Sequence, residues 1–121
     1  MNQAKSIRIS NTEWHILHVL WSRTTPTQMK DIVRALNHTP WSRTTIQTMV
    51  NRLMKKGLIN ANKAKYAFDY YPAVTKEEAQ DYFIKSALDR VYDGDKTRFM
   101  ESIAEGDFLT SDEKKSFKKM L

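Results

Sequence analysis

The chain has 121 residues, a formal net charge of +6 and 40% hydrophobic residues, enough for one compact domain with a core and an additional segment. The absence of cysteine from this sequence excludes a disulfide framework, a thiolate metal site and a cysteine nucleophile. No apolar run approaches the roughly 20 residues of a membrane-spanning helix, and the polar N-terminus lacks a signal-peptide apolar block, so we expect a cytoplasmic protein without a membrane partner.

Two short helices are predicted before residue 40. The capping box Ser10-Asn11-Thr12-Glu13 starts the first, which ends near Arg23-Thr24, and the alternation of Ile7-Arg8-Ile9 before it fits a short strand. Thr25-Pro26 supplies an N-cap and a first-turn proline for the second helix, which runs to Asn37. The predicted core-facing residues are Glu13, Trp14, Leu17, Leu20 and Trp21, with Ile16 at the margin, and then Met29, Ile32, Val33 and Leu36.

The third predicted helix has two opposed faces. It begins at the N-cap Ser42 and ends at Gly57, a left-handed C-cap. Its apolar face is expected to join the core, whereas its polar face lacks acidic residues and ends on a cation. A helix surface kept only for solubility favours Glu and Lys, so this composition indicates contact with nucleic acid. The apolar face holds Ile46, Met49, Val50 and Leu53, and the polar face holds Thr44, Thr48, Asn51 and Lys55.

The stretch "LINANKAKYAFDYYPAV" is rich in strand formers on both sides of a loop near residues 62–65. It predicts a hairpin of about 58–62 and 66–72. Three helices followed by a basic-tipped hairpin are typical of a winged helix-turn-helix. We therefore predict a mainly α fold, in which a winged helix-turn-helix domain of residues 1–74 precedes a helical dimerisation domain of residues 75–121.

The second predicted domain contains three helices. Thr75-Lys76-Glu77-Glu78 opens one that runs to about Tyr92, a second covers about 96–104, and Thr110-Ser111-Asp112-Glu113 caps the last. These helices carry more apolar residues than packing against one neighbouring helix would bury. We therefore expect a second copy of the chain to cover them, and the alternative is that the helices fold back onto the first domain. The predicted dimerisation residues are Phe83, Ile84, Ala87, Leu88, Val91, Phe99, Ile103, Phe117 and Met120, beside Ala79, Met100 and Leu121.

Positive charge is concentrated in the first predicted domain. Residues 1–74 hold 11 Lys and Arg against 3 Asp and Glu, whereas residues 75–121 hold 9 against 11. This asymmetry indicates a polyanion-binding front, with a merely solvated basic surface as the alternative. In a helix-turn-helix the third helix enters the major groove of DNA, which predicts residues 42–52 as the reading segment. The predicted base contacts are Arg43, Thr44, Gln47, Thr48 and Asn51, with Ser42, Arg52 and Lys55 on the DNA backbone and Lys63 and Lys65 at the wing tip.

Catalysis and cofactor binding find little support in the sequence. His15 and His18 have a spacing that can bind metal, but no nearby carboxylate completes a ligand set. A glycine-rich phosphate loop and a His-Glu-x-x-His motif are both absent from the sequence. We expect no enzyme, no metal and no cofactor, and we expect Trp14, Trp21 and Trp41 to pack rather than stack on bases.

Three stretches, "ISNTEWHILHVLW", "WSRTTIQTMVNRLMKKGLI" and "YYPAV", resemble in order and spacing the BlaI/MecI/CopY family of bacterial repressors. The resemblance covers about residues 7–74 well and the tail loosely. It implies a homodimeric winged-helix repressor that binds a palindromic operator with TACA/TGTA-like half-sites. Its most specific parts are Glu13-Trp14 with Trp21, Trp41-Ser42, Thr45-Ile46, Arg52-Leu53 and Lys56-Gly57.

The sequence departs from that family where the signal is sensed. Copper-responsive members carry a cysteine-rich motif in the tail, and this chain has no cysteine. β-Lactam-responsive members are inactivated by cleavage of an Asn-Phe bond, which implies a sensor protease as partner, but Ser102-Ile103 stands at the matching position. The inducing signal is therefore open.

Two other functional classes compete with the repressor hypothesis. A winged helix also serves as a protein-interaction adaptor, in which case the basic face would bind an acidic partner. A metal-dependent hydrolase built on His15 is a distant third hypothesis. Selection of particular DNA fragments across a salt series distinguishes the first two, and metal analysis tests the third.

Overall fold

A computed structural model describes residues 7–120 and has a mainly helical fold with a small antiparallel sheet. The sheet order is β1-β3-β2, which confirms the predicted winged-helix fold with its hairpin wing. Leu121, predicted among the apolar residues of the tail, lies outside the described residues. In chain order the elements are α1 Asn11–Trp21, β1 Thr27–Gln28, α2 Met29–Ala35, α3 Arg43–Lys55, β2 Ile59–Lys63, β3 Phe68–Pro72, α4 Lys76–Val91, α5 Lys96–Glu105 and α6 Ser111–Met120.

Reciprocal capping boxes start three of the helices, as predicted from the sequence. At α1, Ser10 Oγ accepts a hydrogen bond from the Glu13 backbone N–H at 3.2 Å, and Glu13 Oε1 accepts one from the Ser10 N–H at 3.0 Å. The same exchange joins Thr75 with Glu78 and Thr110 with Glu113. Each box satisfies amide donors that the first helical turn leaves without an intrahelical acceptor.

Two predictions for the first forty or so residues are wrong. Residues 7–9 form no strand; they run irregularly, and Ile7 and Ile9 pack against the core instead. The second helix begins at Met29 rather than at Pro26 and ends at Ala35. Residues 27 and 28 instead form β1, where Thr27 pairs with Tyr70 of β3 and is buried. Pairing with β3 satisfies the backbone N–H and C=O groups of residues 27 and 28. This pairing overrides the local Thr-Pro signal for a helix start.

The first compact unit ends at Ala79 and the second begins at Gln80. The core of the first unit combines α1, α2, α3 and the hairpin, and its last member is Ala79 in the first turn of α4. Ile16, which we predicted at the margin of α1, is fully buried, whereas the three tryptophans lie half-buried at the rim. The buried apolar residues are Ile16, Leu17, Leu20, Ile32, Leu36, Ile46, Met49, Val50, Leu53, Leu58, Ile59, Val74 and Ala79.

A buried ion pair joins the start of α1 to the end of α3. Glu13 is 1% exposed, and its Oε1 lies 2.6 Å from Lys56 Nζ. Lys56 Nζ also donates to the Arg8 carbonyl oxygen at 2.5 Å. Burial by itself would raise the pKa of Glu13, but hydrogen bonds from Lys56 and Ser10 and the charge of Lys56 outweigh it, so the pKa lies below its ordinary value.

This lowered pKa predicts a defined acid sensitivity. The Glu13 carboxylate stabilises the folded chain fully above its unfolded pKa, near 4.5, and this contribution is lost as the pH falls through the lower folded value. We expect the free energy of unfolding to fall with acidification below about pH 4.5. The Glu13→Gln variant should lose less over the same range, measured by urea denaturation at a series of pH values. Parallel pH profiles for the two proteins would contradict this assignment.

The second compact unit contains most of α4 together with α5 and α6. The turn between α4 and α5 uses left-handed backbone at Asp93 and Gly94, with φ of 51° and 80°, where the sequence predicted a stop. The Tyr92 and Phe99 rings then pack with centroids 5.1 Å apart. Within the described residues, no helix has the length and apolar character needed to cross a membrane.

Candidate nucleic-acid interface

Helix α3 presents its predicted polar face from a well-capped segment. Ser42 Oγ accepts from the Thr45 N–H at 3.1 Å, which confirms the predicted N-cap. At the other end Gly57 has a φ of 77°, and the Leu58 N–H donates to the Leu53 carbonyl at 2.9 Å, which confirms the predicted left-handed cap. The four apolar residues of α3 are all buried. Both ends of α3 are therefore capped, and one face is packed in the core.

The opposite face of α3 is exposed and rich in hydrogen-bonding groups. Thr48 Oγ1 donates to the Thr44 carbonyl at 3.0 Å, and the hydroxyl oxygen can still accept a hydrogen bond. Within the described chain, Arg43, Arg52 and Lys55 form no ion pair, so their charge is available to an external anion. The predicted residues exposed on α3 and its N-cap are Ser42, Arg43, Thr44, Thr48, Asn51, Arg52 and Lys55, and Gln47 is half-buried.

The wing carries the other two predicted cations. Lys63 ends β2 and Lys65 lies in the turn, and both side chains are exposed. Lys65 Nζ lies 5.3 Å from the centroid of the Tyr66 ring, which is itself 89% exposed. A cation beside an exposed aromatic ring can contact both a phosphate and a sugar or base. The strands pair from Ile59 with Pro72 to Lys63 with Phe68, so the wing projects these groups at its far end.

The two adjacent lysines at the end of α3 have different environments. Lys55 is exposed, whereas Lys56 is half-buried and its ammonium pairs with the Glu13 carboxylate. The ion pair between Lys56 and Glu13 was not predicted from the sequence. The available signal was Glu13 itself, because a carboxylate on a core-facing side requires a buried partner.

His15 and His18 pack against tryptophans rather than forming a metal site. The His15 ring lies edge-on to Trp41 with centroids 5.2 Å apart, and His18 lies edge-on to Trp21 at 5.4 Å. Partial burial, followed by the charges of Lys76 and His15, lowers the pKa of His18. Trp21 Nε1–H donates to the Val74 carbonyl at 2.9 Å, so this indole packs as predicted. In residues 7–120 no group of His, Asp and Glu side chains is arranged to hold a metal ion.

Sequence relatives of the chain include a methicillin resistance regulatory protein and a penicillinase repressor. The methicillin resistance regulatory protein MecI of Mammaliicoccus sciuri is 27% identical over 117 residues, which cover 97% of this chain and 95% of MecI. The penicillinase repressor of Bacillus licheniformis is 31% identical over 107 residues, covering 88% of this chain and 83% of the repressor. The penicillinase repressor family matches residues 9–121.

Solved structures of BlaI resemble about three fifths of this chain. The DNA-binding domain of the repressor BlaI superposes with a TM-score of 0.56 and 32% identity, covering 62% of this chain and 93% of that domain. The Bacillus licheniformis BlaI monomeric form in complex with the blaP half-operator gives a TM-score of 0.52 and 33% identity, covering 59% of this chain and 87% of that protein. Because the family match spans almost the whole chain, the protein belongs to the penicillinase repressor family of DNA-binding transcriptional repressors.

Proposed function

We propose that this protein represses transcription by binding a palindromic operator as a homodimer, with residues 42–52 of each protomer in one major groove. The exposed, acid-free polar face of α3 opposite a fully buried apolar face carries this proposal. Family membership makes the protein a transcriptional repressor rather than an enzyme. Operator binding would take place on chromosomal DNA, and therefore in the cytoplasm.

The side chains of α3 match two kinds of DNA contact. The Arg43 guanidinium can donate two hydrogen bonds to a guanine edge. The Gln47 amide can donate one to an adenine edge and accept one from it. Thr44, Thr48 and Asn51 supply methyl and amide groups along the same face. Ser42, Arg52 and Lys55 would hold phosphates, since neutralising phosphate releases counterions. BlaI, 33% identical to this chain, was solved with half-operator DNA, which supports DNA as the partner.

Homodimerisation is proposed from the apolar surface of the second unit. Phe83 is 59% exposed, Ile84 54% and Val91 70%, and these residues lie on α4. Met120 on α6 is 76% exposed, while Ala87, Leu88, Phe99, Ile103 and Phe117 are half-buried. A second copy with two-fold symmetry would cover these groups and set half-sites about one helical turn of DNA apart. By family resemblance the half-sites would be TACA/TGTA-like.

A sensor protease remains the proposed partner for release from DNA. The Ser102–Ile103 bond lies inside α5, and both side chains are half-buried. A protease needs an extended substrate, so cleavage there would require α5 to unfold locally.

Competition between duplexes tests the repressor proposal. A duplex with TACA/TGTA half-sites and a random duplex of equal length would compete for the full-length protein at physiological salt. We expect the operator-like duplex to bind at least a thousandfold more tightly, as specific repressors commonly do. Equal competition by the two duplexes, together with no fragment selected from genomic DNA, would overturn the proposal.

Lys63→Ala should weaken binding to operator and random duplexes by similar factors. A lysine at the wing tip would contact phosphate, which carries no sequence information. The slope of log affinity against log salt should become shallower by about one. Titrations at several salt concentrations measure the slope, and Lys76→Ala, an exposed lysine outside the predicted interface, is the matched control. A selective loss of operator binding would instead assign Lys63 to base reading.

Ile84→Asp combined with Val91→Asp should convert the dimer to monomers. Each substitution places a charge where we propose apolar contact with the second copy, and burying an unpaired charge is costly. Sedimentation velocity of the full chain gives the mass. Thr97→Asp, which adds one charge of the same sign at an exposed polar position of α5, should leave the dimer unchanged. A double variant that still sediments as a dimer would place the interface elsewhere.

A further inference from the structure

Glu13 is a buried charged residue at a position where an apolar side chain could fill the core. Together with Thr27, it makes up the buried polar side chains of the described residues. Its Oε1 accepts from Lys56 Nζ at 2.6 Å and from the Ser10 N–H at 3.0 Å. Lys56 Nζ also reaches the Arg8 carbonyl oxygen at 2.5 Å. We call the group formed by Arg8, Ser10, Glu13 and Lys56 the helix clamp, because it ties the cap of α1 to the end of α3.

Stability alone is a weak explanation for such a pair. Desolvating two charges offsets much of their attraction, and apolar residues of similar volume often serve equally well or better. An ion pair with further hydrogen bonds is directional. The distance between donor and acceptor must be right within a few tenths of an ångström, and the donor–hydrogen–acceptor angle must be nearly linear. Apolar contacts are non-directional, so a core of this kind tolerates small rotations of a helix.

The helix clamp lies where its directional hydrogen bonds can fix the orientation of α3. It holds the C-terminal end of α3, and the residues proposed to read bases, Arg43 to Asn51, extend from the opposite end. A helix of 13 residues is about 20 Å long, so a tilt of about 5° at the clamped end moves the far end by roughly 2 Å. Base contacts need positions held to roughly 0.5 Å.

We propose that Glu13 and Lys56 are positioning residues for operator recognition, which set the orientation of α3 through the clamp without touching DNA. The inference rests on the proposed function, because it assumes that α3 reads the operator. It adds a role for two side chains that face inward and lie outside the predicted interface. Sequence preference should therefore depend on the clamp even where the free energy of unfolding does not.

The Glu13→Leu and Lys56→Met double variant tests the proposal. Both charges leave together, so no unpaired charge remains buried, and the net charge of the chain is unchanged. We expect cooperative urea unfolding with a midpoint no lower than that of the unmodified protein. Binding to a random duplex should change less than twofold, while the preference for a TACA/TGTA half-site duplex over the random one should fall at least tenfold.

The chain offers a matched control at the start of α4. Glu77→Leu with Lys76→Met makes the same two changes at exposed positions outside the interface and should keep the full operator preference. Lys56→Arg keeps the charge and can still donate to both Glu13 and the Arg8 carbonyl, so it should retain most of that preference.

Each result decides the proposal. A folded double variant with unchanged operator preference would overturn the positioning role and leave the proposed function intact. If the double variant fails to fold, Glu13→Gln takes its place, since it keeps the side-chain volume; the expected loss is then a few-fold, and no loss in a folded protein overturns the role. An unmodified protein without operator preference would overturn the proposed function first, and this inference with it.

Discussion

Replacing Arg43 and Gln47 together by alanine is expected to lower the preference for operator over random DNA by about a hundredfold or more. Each bidentate base contact contributes roughly 1–3 kcal/mol of discrimination, and each 1.4 kcal/mol is a factor of about ten. Both side chains lie on the first two turns of α3, the part that enters the major groove in a helix-turn-helix. Mobility shifts with the operator-like and random duplexes measure the ratio directly.

A control with the same two residue types shows whether the operator preference is lost through missing base contacts or through the loss of one positive charge. Arg90→Ala with Gln80→Ala removes an exposed arginine and an exposed glutamine from α4. We expect this pair to keep the operator preference. Should the Arg43 and Gln47 variant retain the preference as well, base reading would belong to other residues, and the assignment of the α3 face would be wrong.

Lys56→Met is expected to lower the free energy of unfolding at pH 7 by about 3 kcal/mol. The substitution leaves the Glu13 carboxylate buried with only its bond from Ser10, and an uncompensated buried charge typically costs about 3–5 kcal/mol. Because the Ser10 hydrogen bond remains and the Lys56 side chain is partly exposed, the expected loss lies at the low end of that range. Urea denaturation monitored through tryptophan fluorescence gives the difference.

The neighbouring lysine provides the comparison for this loss. Lys55→Met removes an exposed side chain that makes no ion pair in the described part of the chain, so its effect on stability should stay within about 0.5 kcal/mol. Adding Glu13→Leu to Lys56→Met should restore the stability to at least that of the unmodified protein, because no unpaired charge then stays buried. Equal destabilisation by the Lys55 and Lys56 variants would contradict a stabilising Glu13–Lys56 pair.

The two lysines also explain how one helix end serves two purposes. Lys55 completes the exposed basic face, while the next residue turns inward because successive helical positions are about 100° apart. The fold can thus hold the end of α3 rigidly without using any group of the predicted DNA-binding face. Lys55 is exposed and Lys56 is paired with Glu13. Substitutions of these two lysines are therefore expected to have different effects on stability and on sequence preference.

Local signals predicted much of the architecture because they act over three or four residues. The boxes at Ser10, Thr75 and Thr110, the N-cap Ser42 and the left-handed Gly57 all form as predicted. Each depends on a side chain meeting a backbone amide in its own helical turn, or on backbone conformations that only glycine adopts easily. The exposed face of α3 was predictable for the same reason, since helical periodicity assigns side chains to faces.

Long-range pairing was not predictable from these signals. Residues 27 and 28 form β1 only because β3, more than forty residues later, offers backbone partners at Asp69 and Tyr70. The segment of residues 7–9 has the alternation of a strand but has no strand partner, so it packs Ile7 and Ile9 on the core without a ladder. Strand formation depends on a partner whose position only the folded chain sets.

The sequence by itself determined the helix ends, the two faces of α3 and the basic character of the first unit, because capping, periodicity and charge are local or additive properties. Only the tertiary structure decided that Glu13 and Lys56, 43 residues apart, meet in an ion pair while the side chain of Lys55 stays exposed. A contact over that separation exists only after α1 and α3 have packed, since the core fixes which helix faces meet.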